Sequence, residues 1–447
     1  MTPVPIDPAG QGLRLEEALA LALRRPLTCT PERVPLAAAL GRTLAAPVHA
    51  ALDAPEQHTS AMDGYAVILS DLSDLGGLGG PGAAEAPRWL RLQEVVAAGH
   101  PPQRPLVPGA VARVMTGAQL PTGAEAVVMQ EHTRREGDQV AFFEQPTRGQ
   151  HIRRQGSDHA AGDRLLPAGA RLGPESLGLF ASQGLTELTV WARPRVAVLS
   201  TGDELAPPGG PRAPGQRWAS NSLALCALIE EAGGEAIDCG IAPDDRAAAA
   251  RVVRAAMDLQ PALILSSGGV SVGDFDVMKD VFVELGATID QWRVAMKPGK
   301  PLLIGELGGA RLFGLPGNPL SSATTCRLFA RSLIRASLGD PTPLLPILDV
   351  ELSARVAHRP GRAELVPVLL AVTDQGLRAT PQRITGSGST AAGALGGGLA
   401  LLGVDLGDAE AGDRVPVMLL SAPLGLGARL SDLRWGGRPL PASQAPA

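Results

Sequence analysis

The sequence predicts a multidomain α/β protein. It comprises a doubly wound, mostly parallel α/β domain, an inserted small β domain, an N-terminal helical and extended domain, and a C-terminal β-barrel-like domain. Three observations carry this. From Pro194 onward, short apolar strands alternate with helical stretches, an order that calls for a parallel sheet with helices on both faces. From about Pro55, and again after Pro341-Thr342-Pro343, the texture is short strand-like pieces punctuated by Gly and Pro. At 447 residues the chain exceeds one common core, since domains of about 100 to 150 residues are the norm.

In chain order, residues 13–23 (L-R-L-E-E-A-L-A-L-A-L) predict a helix, and Glu32 to Leu44 a second one, as scaffold or dimer contact. Strands follow at Gln93 to Ala97, Val111 to Met115, Ala126 to Gln130 and Val140 to Phe143, with a low-complexity loop over 70–88. Helical texture returns from Gly173. Arg195 to Ser200 reads as a buried strand, Asn221 or Ser222 as the cap of a helix ending at Gly233-Gly234, Glu235 to Gly240 as the next strand, and Arg246 to Met257 as the next helix. Ala262 to Leu265 is a buried strand, Asp276 to Leu285 a helix, and Ile289 to Val294, Leu302 to Ile304 and Arg311 to Leu315 are strands before a helix over Ser321 to Leu338. Strands at Ile347 to Leu352, Glu364 to Leu370, Leu377 to Thr380 and Arg414 to Leu420 suggest a small barrel or sandwich, and the Pro/Ala-rich end a flexible tail.

Ligands of doubly wound sheets bind outside the carboxyl ends of the strands. The turns Thr201-Gly202-Asp203-Glu204, Pro243-Asp244-Asp245, Ser267 to Asp276 and Pro316-Gly317-Asn318-Pro319 each follow a strand and should gather on one rim. That rim offers carboxylates at Asp203, Glu204, Asp244, Asp245, Asp274 and Asp276, beside glycine-rich backbone at Gly268, Gly269 and Gly273 and hydroxyls such as Ser271. Hard carboxylates suit Mg²⁺ that keeps several waters and bridges to phosphate oxygens. Two of the three lysines, Lys297 and Lys300, fall in one turn of an arginine-dominated chain, as expected of ammonium groups facing an anion. Phosphoanhydride cleavage or transfer is the reaction class these residues predict. In the C-terminal region, Arg359-Pro360-Gly361-Arg362 and Gly386-Ser387-Gly388-Ser389 offer a further oxyanion nest.

Composition excludes other classes. The net charge is −5, with no basic stripe carrying interleaved aromatics, so nucleic acid is not an expected partner. No apolar run approaches the roughly 20 residues that span a bilayer, and the N-terminus M-T-P-V-P-I-D-P lacks the signature of a signal peptide, so a cytoplasmic location is expected. Cys29, Cys226, Cys239 and Cys326 form no C-x-x-C pair, and the histidines form no H-x-x-x-H or H-x-E pattern, which argues against a disulfide framework or a zinc site.

Seven ordered motifs then carry a resemblance: S-A-M-D-G-Y-A at 60–66, R-V-M-T-G-A-Q-L-P-T-G-A-E-A-V-V at 113–128, I-R-R-Q-G-S-D at 152–158, S-T-G-D-E-L at 200–205, S-G-G-V-S-V-G at 267–273, M-K-P-G-K-P at 296–301 and G-L-P-G-N-P at 314–319. Together they resemble the MoeA family of molybdopterin molybdenumtransferases, related to the gephyrin E domain. The resemblance implies Mg²⁺-dependent insertion of molybdate into adenylylated molybdopterin, releasing AMP and molybdenum cofactor. It also implies an elongated homodimer with a composite active site, and transient contact with other molybdenum cofactor enzymes. Carried over by position, Asp63, Thr116, Asp158, Glu204, Asp276 and Lys297 are the catalytic candidates. Gly268, Gly269, Ser271, Gly273, Lys300, Pro316, Gly317, Asn318, Pro319, Ser321, Arg362 and Ser387 are the substrate-binding candidates, and Glu204, Asp244, Asp245, Asp274 and Asp276 the metal candidates, with only one of Asp244 and Asp245 matching a family position. The expected domains are 1–56 with 153–193, 57–152, 194–342 and 343–432, with a tail over 433–447. Ser157 stands where a carboxylate is common before the aspartate, and Gly396-Gly397-Gly398 replaces an Ala-Asn type sequence after the serine motif. Two competing readings are an adenylyltransferase that makes the intermediate and a pterin-binding scaffold without turnover.

Overall fold

The computed structural model describes residues 12–75, 87–270, 277–373, 376–382, 386, 388–420, 434–435 and 438–439. It divides into one compact unit formed by residues up to 45, 169–174 and the chain from 187 onward, and a second formed by 46–168 and 175–186.

The first unit is built on a six-stranded sheet of β1 (Arg195–Thr201), β2 (Glu235–Ala242), β3 (Leu263–Ser267), β4 (Thr288–Trp292), β5 (Leu303–Leu307) and β6 (Ala310–Leu315), in the order β2-β1-β3-β6-β5-β4. The pairs β1–β2, β1–β3 and β3–β6 are parallel, while β5 runs antiparallel to both neighbours. The alternation of side chains along each strand explains the double winding. Val196, Val198, Leu263, Leu265, Phe313 and Leu315 point to one face, where they meet Leu225 and Ile229 of α1 (Ser220–Ala232), Phe329 and Leu333, and Ala18 and Ala22 of the N-terminal helix Leu15–Leu23. Ala197, Leu199, Ile264 and Leu312 point to the other face, against Ala249 and Val253 of α2 (Arg246–Asp258) and Val281 and Phe282 of α3 (Met278–Glu284). From β1 the chain crosses to β2 on one side and then returns to β3 on the other, so the winding reverses between β1 and β3.

The helix after β6 is unbroken from 319 to 337 but changes type along its length. It comprises α4 (Pro319–Thr325), a π-helical stretch Cys326–Arg331 and α5 (Ser332–Ser337), with Pro319 at the start, where its missing N–H costs nothing. Downstream, β7 (Ile347–Leu352), β8 (Ala363–Thr373), β9 (Gly376–Pro381), β10 (Gly398–Leu402) and β11 (Arg414–Leu419) close into a barrel in the order β8-β9-β7-β11-β10 and back to β8. Val350, Val366, Val368, Ala400 and Val417 fill its interior.

The second unit carries its own six-stranded sheet, in the order 126–129, 64–67, 110–114, 88–96, 139–142, 133–136. Tyr65, Val67, Val111, Val128 and Phe142 pack one face, and Tyr65 meets Phe142 edge to face at 6.1 Å.

Two expectations fail, and one strand was not expected. The stretch from Glu32 to Leu44 is not a helix: Pro31–Pro35 is a strand paired antiparallel with Glu187–Trp191, followed by a single 3-10 turn over Leu36–Ala38. Good helix formers there are overruled because Pro35 supplies no N–H to a helical ladder, and because strand pairing lets Val34 reach the interior. The helix α1 begins at Ser220 with no side-chain cap, so neither Asn221 nor Ser222 caps it. The strand β10, opening on Gly398, had no apolar alternation to announce it.

Candidate active site

The reversal between β1 and β3 opens a cavity of about 560 Å³ at the carboxyl ends of the strands. Its walls include Thr201, Gly202 and Glu204 after β1, Asp244 after β2, Ser267, Gly268 and Gly269 after β3, and Pro316, Gly317, Asn318 and Pro319 after β6. The rim expected from the strand-to-helix turns is therefore a single cavity wall. Gly388 and Thr390 of the barrel region contribute to the same wall.

Hydrogen bonds within the wall fix these turns against one another. The Asn221 amide donates to Ser267 Oγ at 2.9 Å and to the Gly317 carbonyl at 2.8 Å. Ser267 Oγ also lies 3.2 Å from Ser322 Oγ, and Thr201 donates to the Ser267 carbonyl at 3.3 Å. Asn221 is thus the link between the turns after β3 and β6, a role that its reading as a helix cap missed. The clue lay in its place in the first turn of α1, facing the carboxyl ends of the strands. Gly268, at φ +98, is held where a Cβ would lie 2.6 Å from Thr201 Oγ1, so a side chain is excluded and the backbone itself forms the surface.

The acidic residues separate into two roles. Asp203 and Asp244 exchange backbone N–H to carboxylate bonds at 3.2 Å each, which sets the two turns side by side. Asp245 accepts from Ala248 N at 2.8 Å and caps α2, so of the adjacent pair Asp244 reaches the cavity. Glu204 is exposed on the wall, over the space that a Gly202 side chain would fill. Among the described residues no three of His, Cys, Asp and Glu gather to hold a metal. Glu204 and Asp244 supply the hard oxygen donors appropriate to a cation that keeps most of its waters.

Ser271, Gly273, Asp274, Asp276 and Ser387 lie outside the described residues. Lys297, Lys300, Ser321 and Arg362 do not line the cavity. Lys297 Nζ sits 2.7 Å from Glu364 Oε1, and Glu364 Oε2 lies 3.2 Å from Nδ1 of the buried His358, whose Nε2 is 3.1 Å from the Gly403 carbonyl. Ser321 is buried in the first turn of α4, and Arg362 is exposed immediately before β8.

In the second unit, Thr116 donates both its backbone N–H and its hydroxyl to Asp63 Oδ1, at 2.7 and 2.8 Å. These two bonds, with a lesser contribution from the Arg113 charge, hold the Asp63 carboxyl below the usual carboxylate range. Asp158 is exposed, 3.8 Å from His159 Nδ1. Tyr65, the chain's one tyrosine, is a core residue with Arg113 over its ring.

Family models for the MoeA N-terminal region (domain I and II), the probable molybdopterin binding domain and the MoeA C-terminal region (domain IV) match residues 13–184, 197–336 and 349–420. Molybdopterin molybdenumtransferase 2 of Mycobacterium tuberculosis is 39% identical over 348 residues, 76% of this chain and 84% of that one. The molybdopterin molybdenumtransferase of a Nostoc species is 38% identical over 336 residues, 74% of this chain and 75% of its own. A crystal structure of the molybdopterin biosynthesis MoeA protein from Pyrococcus horikoshii superposes with a TM-score of 0.75 at 30% identity, covering 91% of this chain and 99% of that one. The chain belongs to the MoeA family and is a molybdopterin molybdenumtransferase, an enzyme of molybdenum cofactor biosynthesis.

Proposed function

We propose that the enzyme takes adenylylated molybdopterin and molybdate, breaks the phosphoanhydride bond by hydrolysis, and releases AMP and molybdenum cofactor. The observation that carries this reading is the β1–β3 cavity, which sets glycine backbone and hydroxyls beside two carboxylates at the switch point of the sheet. Gly268 and Gly269 let the main chain approach phosphate oxygens closely, and the Thr201 and Ser267 hydroxyls lie in the same wall. Asn221 keeps Ser267 and Gly317 at a fixed separation, so the ligand meets a preorganised surface. Glu204 and Asp244 would hold Mg²⁺, together with the sequence candidates Asp274 and Asp276, and the ion would neutralise charge on the leaving phosphate.

The same reading assigns molybdate to the candidates Arg362 and Ser387, and the phosphate and pterin to the loops that carry Lys297, Lys300, Pro316, Pro319 and Ser321. It makes the active site a composite of two subunits of a homodimer, with the Asp63–Thr116 pair contributed by the inserted domain. Among the described residues no helix is long and apolar enough to cross a membrane, and the proposed substrates are water-soluble. The test is direct: purified protein given adenylylated molybdopterin should release AMP and form cofactor only with both molybdate and Mg²⁺. Release of AMP without either, or no release with both, sinks the proposal.

A further inference from the structure

We propose that Trp218 is a stacking platform for the flat nitrogen heterocycle of the ligand in the β1–β3 cavity, and so a specificity-determining residue. The inference rests on the functional reading above and deepens it. Trp218 is half exposed, at 50%, although tryptophan is among the most thoroughly buried side chains on average. It lines the cavity, where it is the one aromatic among the described lining residues. Every other part of that wall offers backbone, small, aliphatic or charged groups, suited to phosphates and hydroxyls but not to a π-face.

The indole is preorganised. Arg217 and Trp218 form a two-residue strand parallel to Leu205 and Ala206, immediately after the Thr201 to Glu204 turn. Arg217 N donates to the Glu204 carbonyl at 2.7 Å, Ala219 N to the Ala206 carbonyl at 2.8 Å, and the Gln216 amide to the Asp203 carbonyl at 3.0 Å. The backbone carrying the ring is therefore tied to the segment that carries Glu204. The Arg212 guanidinium lies 4.8 Å from the ring centroid, a cation–π contact that occupies one side of the indole and limits its rotation. Arg217, the one cation among the described lining residues, sits next to Trp218 and suits the phosphate that accompanies such a ring.

Two rings in the proposed substrate have this chemistry, the adenine and the pterin, and the experiment separates them. Isothermal titration of the full-length wild-type protein, Trp218→Ala and Trp218→Phe is carried out with AMP, pterin-6-carboxylate and the ringless ribose 5-phosphate. The expected result is that Trp218→Ala weakens binding of one ring ligand by about 10-fold or more, as loss of an aromatic stack does, while Trp218→Phe retains most of the affinity. Ribose 5-phosphate should bind all three proteins alike. Quenching of tryptophan fluorescence by the same ring ligand should be present in wild type and diminished in Trp218→Phe. Unchanged affinity of Trp218→Ala for both ring ligands overturns the platform while leaving the functional reading intact, as does an equal loss of ribose 5-phosphate binding. A changed oligomeric state with unchanged affinity also overturns it and makes the indole a protein contact. Failure of wild type to bind either ring ligand removes both readings.

Discussion

Thr116 gives both of its donors to a single oxygen of Asp63, its N–H at 2.7 Å and its hydroxyl at 2.8 Å. The ionised carboxylate is the form that accepts both, so these bonds hold its pKa below the ordinary aspartate value. Because the folded value is below the unfolded one, this pair stabilises the fold fully above the unfolded value, and the contribution disappears as pH falls through the folded value. Thr116→Val deletes the hydroxyl and keeps the N–H. A carbon-detected NMR titration should therefore show the Asp63 pKa rising part of the way back, and an unmoved pKa would remove the hydroxyl from the account.

Asn221 ties the turn after β3 to the turn after β6 through one amide nitrogen, at 2.9 and 2.8 Å. Loss of both bonds in Asn221→Ala should cost about 1 to 2 kcal/mol of stability, seen as a lower denaturation midpoint at unchanged m. Turnover should fall further than stability alone explains, because Ser267 and Gly317 lose their common anchor. Asn221→Asp should do worse still, since it sets a carboxylate against the Gly317 carbonyl. Wild-type turnover in both variants would show that the cavity does not depend on this link.

The parts of the sequence that could be read were those whose local and tertiary demands agree. The central residues of β1, β3 and β6 are apolar on both faces, as in Val196 and Ala197 or Leu263 and Ile264, so buried strands and two-sided helix packing followed from the pattern. The turns after these strands were legible because their Gly, Ser and Asp residues have no reason to follow a buried strand except to form a surface. Glu32 to Leu44 was misread because partner strand Glu187–Trp191 lies far along the chain, and no local period announces it. The role of Asn221, read as a helix cap, and that of Trp218, not singled out, were missed for a related reason. Their value lies in what the sheet brings opposite them, Ser267 and Gly317 for one and a cavity wall for the other. The sequence likewise does not distinguish Asp244 from Asp245, which differ in that Asp245 accepts a helix N–H while Asp244 lines the cavity.

Gly268 occupies φ +98, with no room for a Cβ beside Thr201 Oγ1. Gly268→Ala must therefore both adopt a disfavoured backbone region and displace the threonine hydroxyl, a combined cost of about 1 to 3 kcal/mol. The larger effect should fall on ligand: AMP affinity measured by titration should drop by at least about 10-fold, since backbone approach to an anion is what the glycine allows. A variant that is destabilised but binds AMP normally would move the anion site away from this turn.

The neighbouring aspartates after β2 should part in opposite directions. Asp245 accepts the Ala248 N–H at the start of α2, so Asp245→Ala should cost about 1 kcal/mol in chemical denaturation, while the Mg²⁺ dependence of AMP release stays as in wild type. Asp244 faces the cavity and is hydrogen-bonded to the neighbouring turn at Asp203, so Asp244→Asn preserves size and keeps an oxygen for the Asp203 N–H but removes one charge from the wall. Its stability should be near wild type, and the Mg²⁺ concentration for half-maximal AMP release should rise by about 10-fold or more as a hard anionic donor is lost. The two measurements together discriminate structure from chemistry. If Asp245→Ala shifts the Mg²⁺ requirement and Asp244→Asn does not, the capping residue is the ligand and the cavity wall has been assigned to the wrong carboxylate.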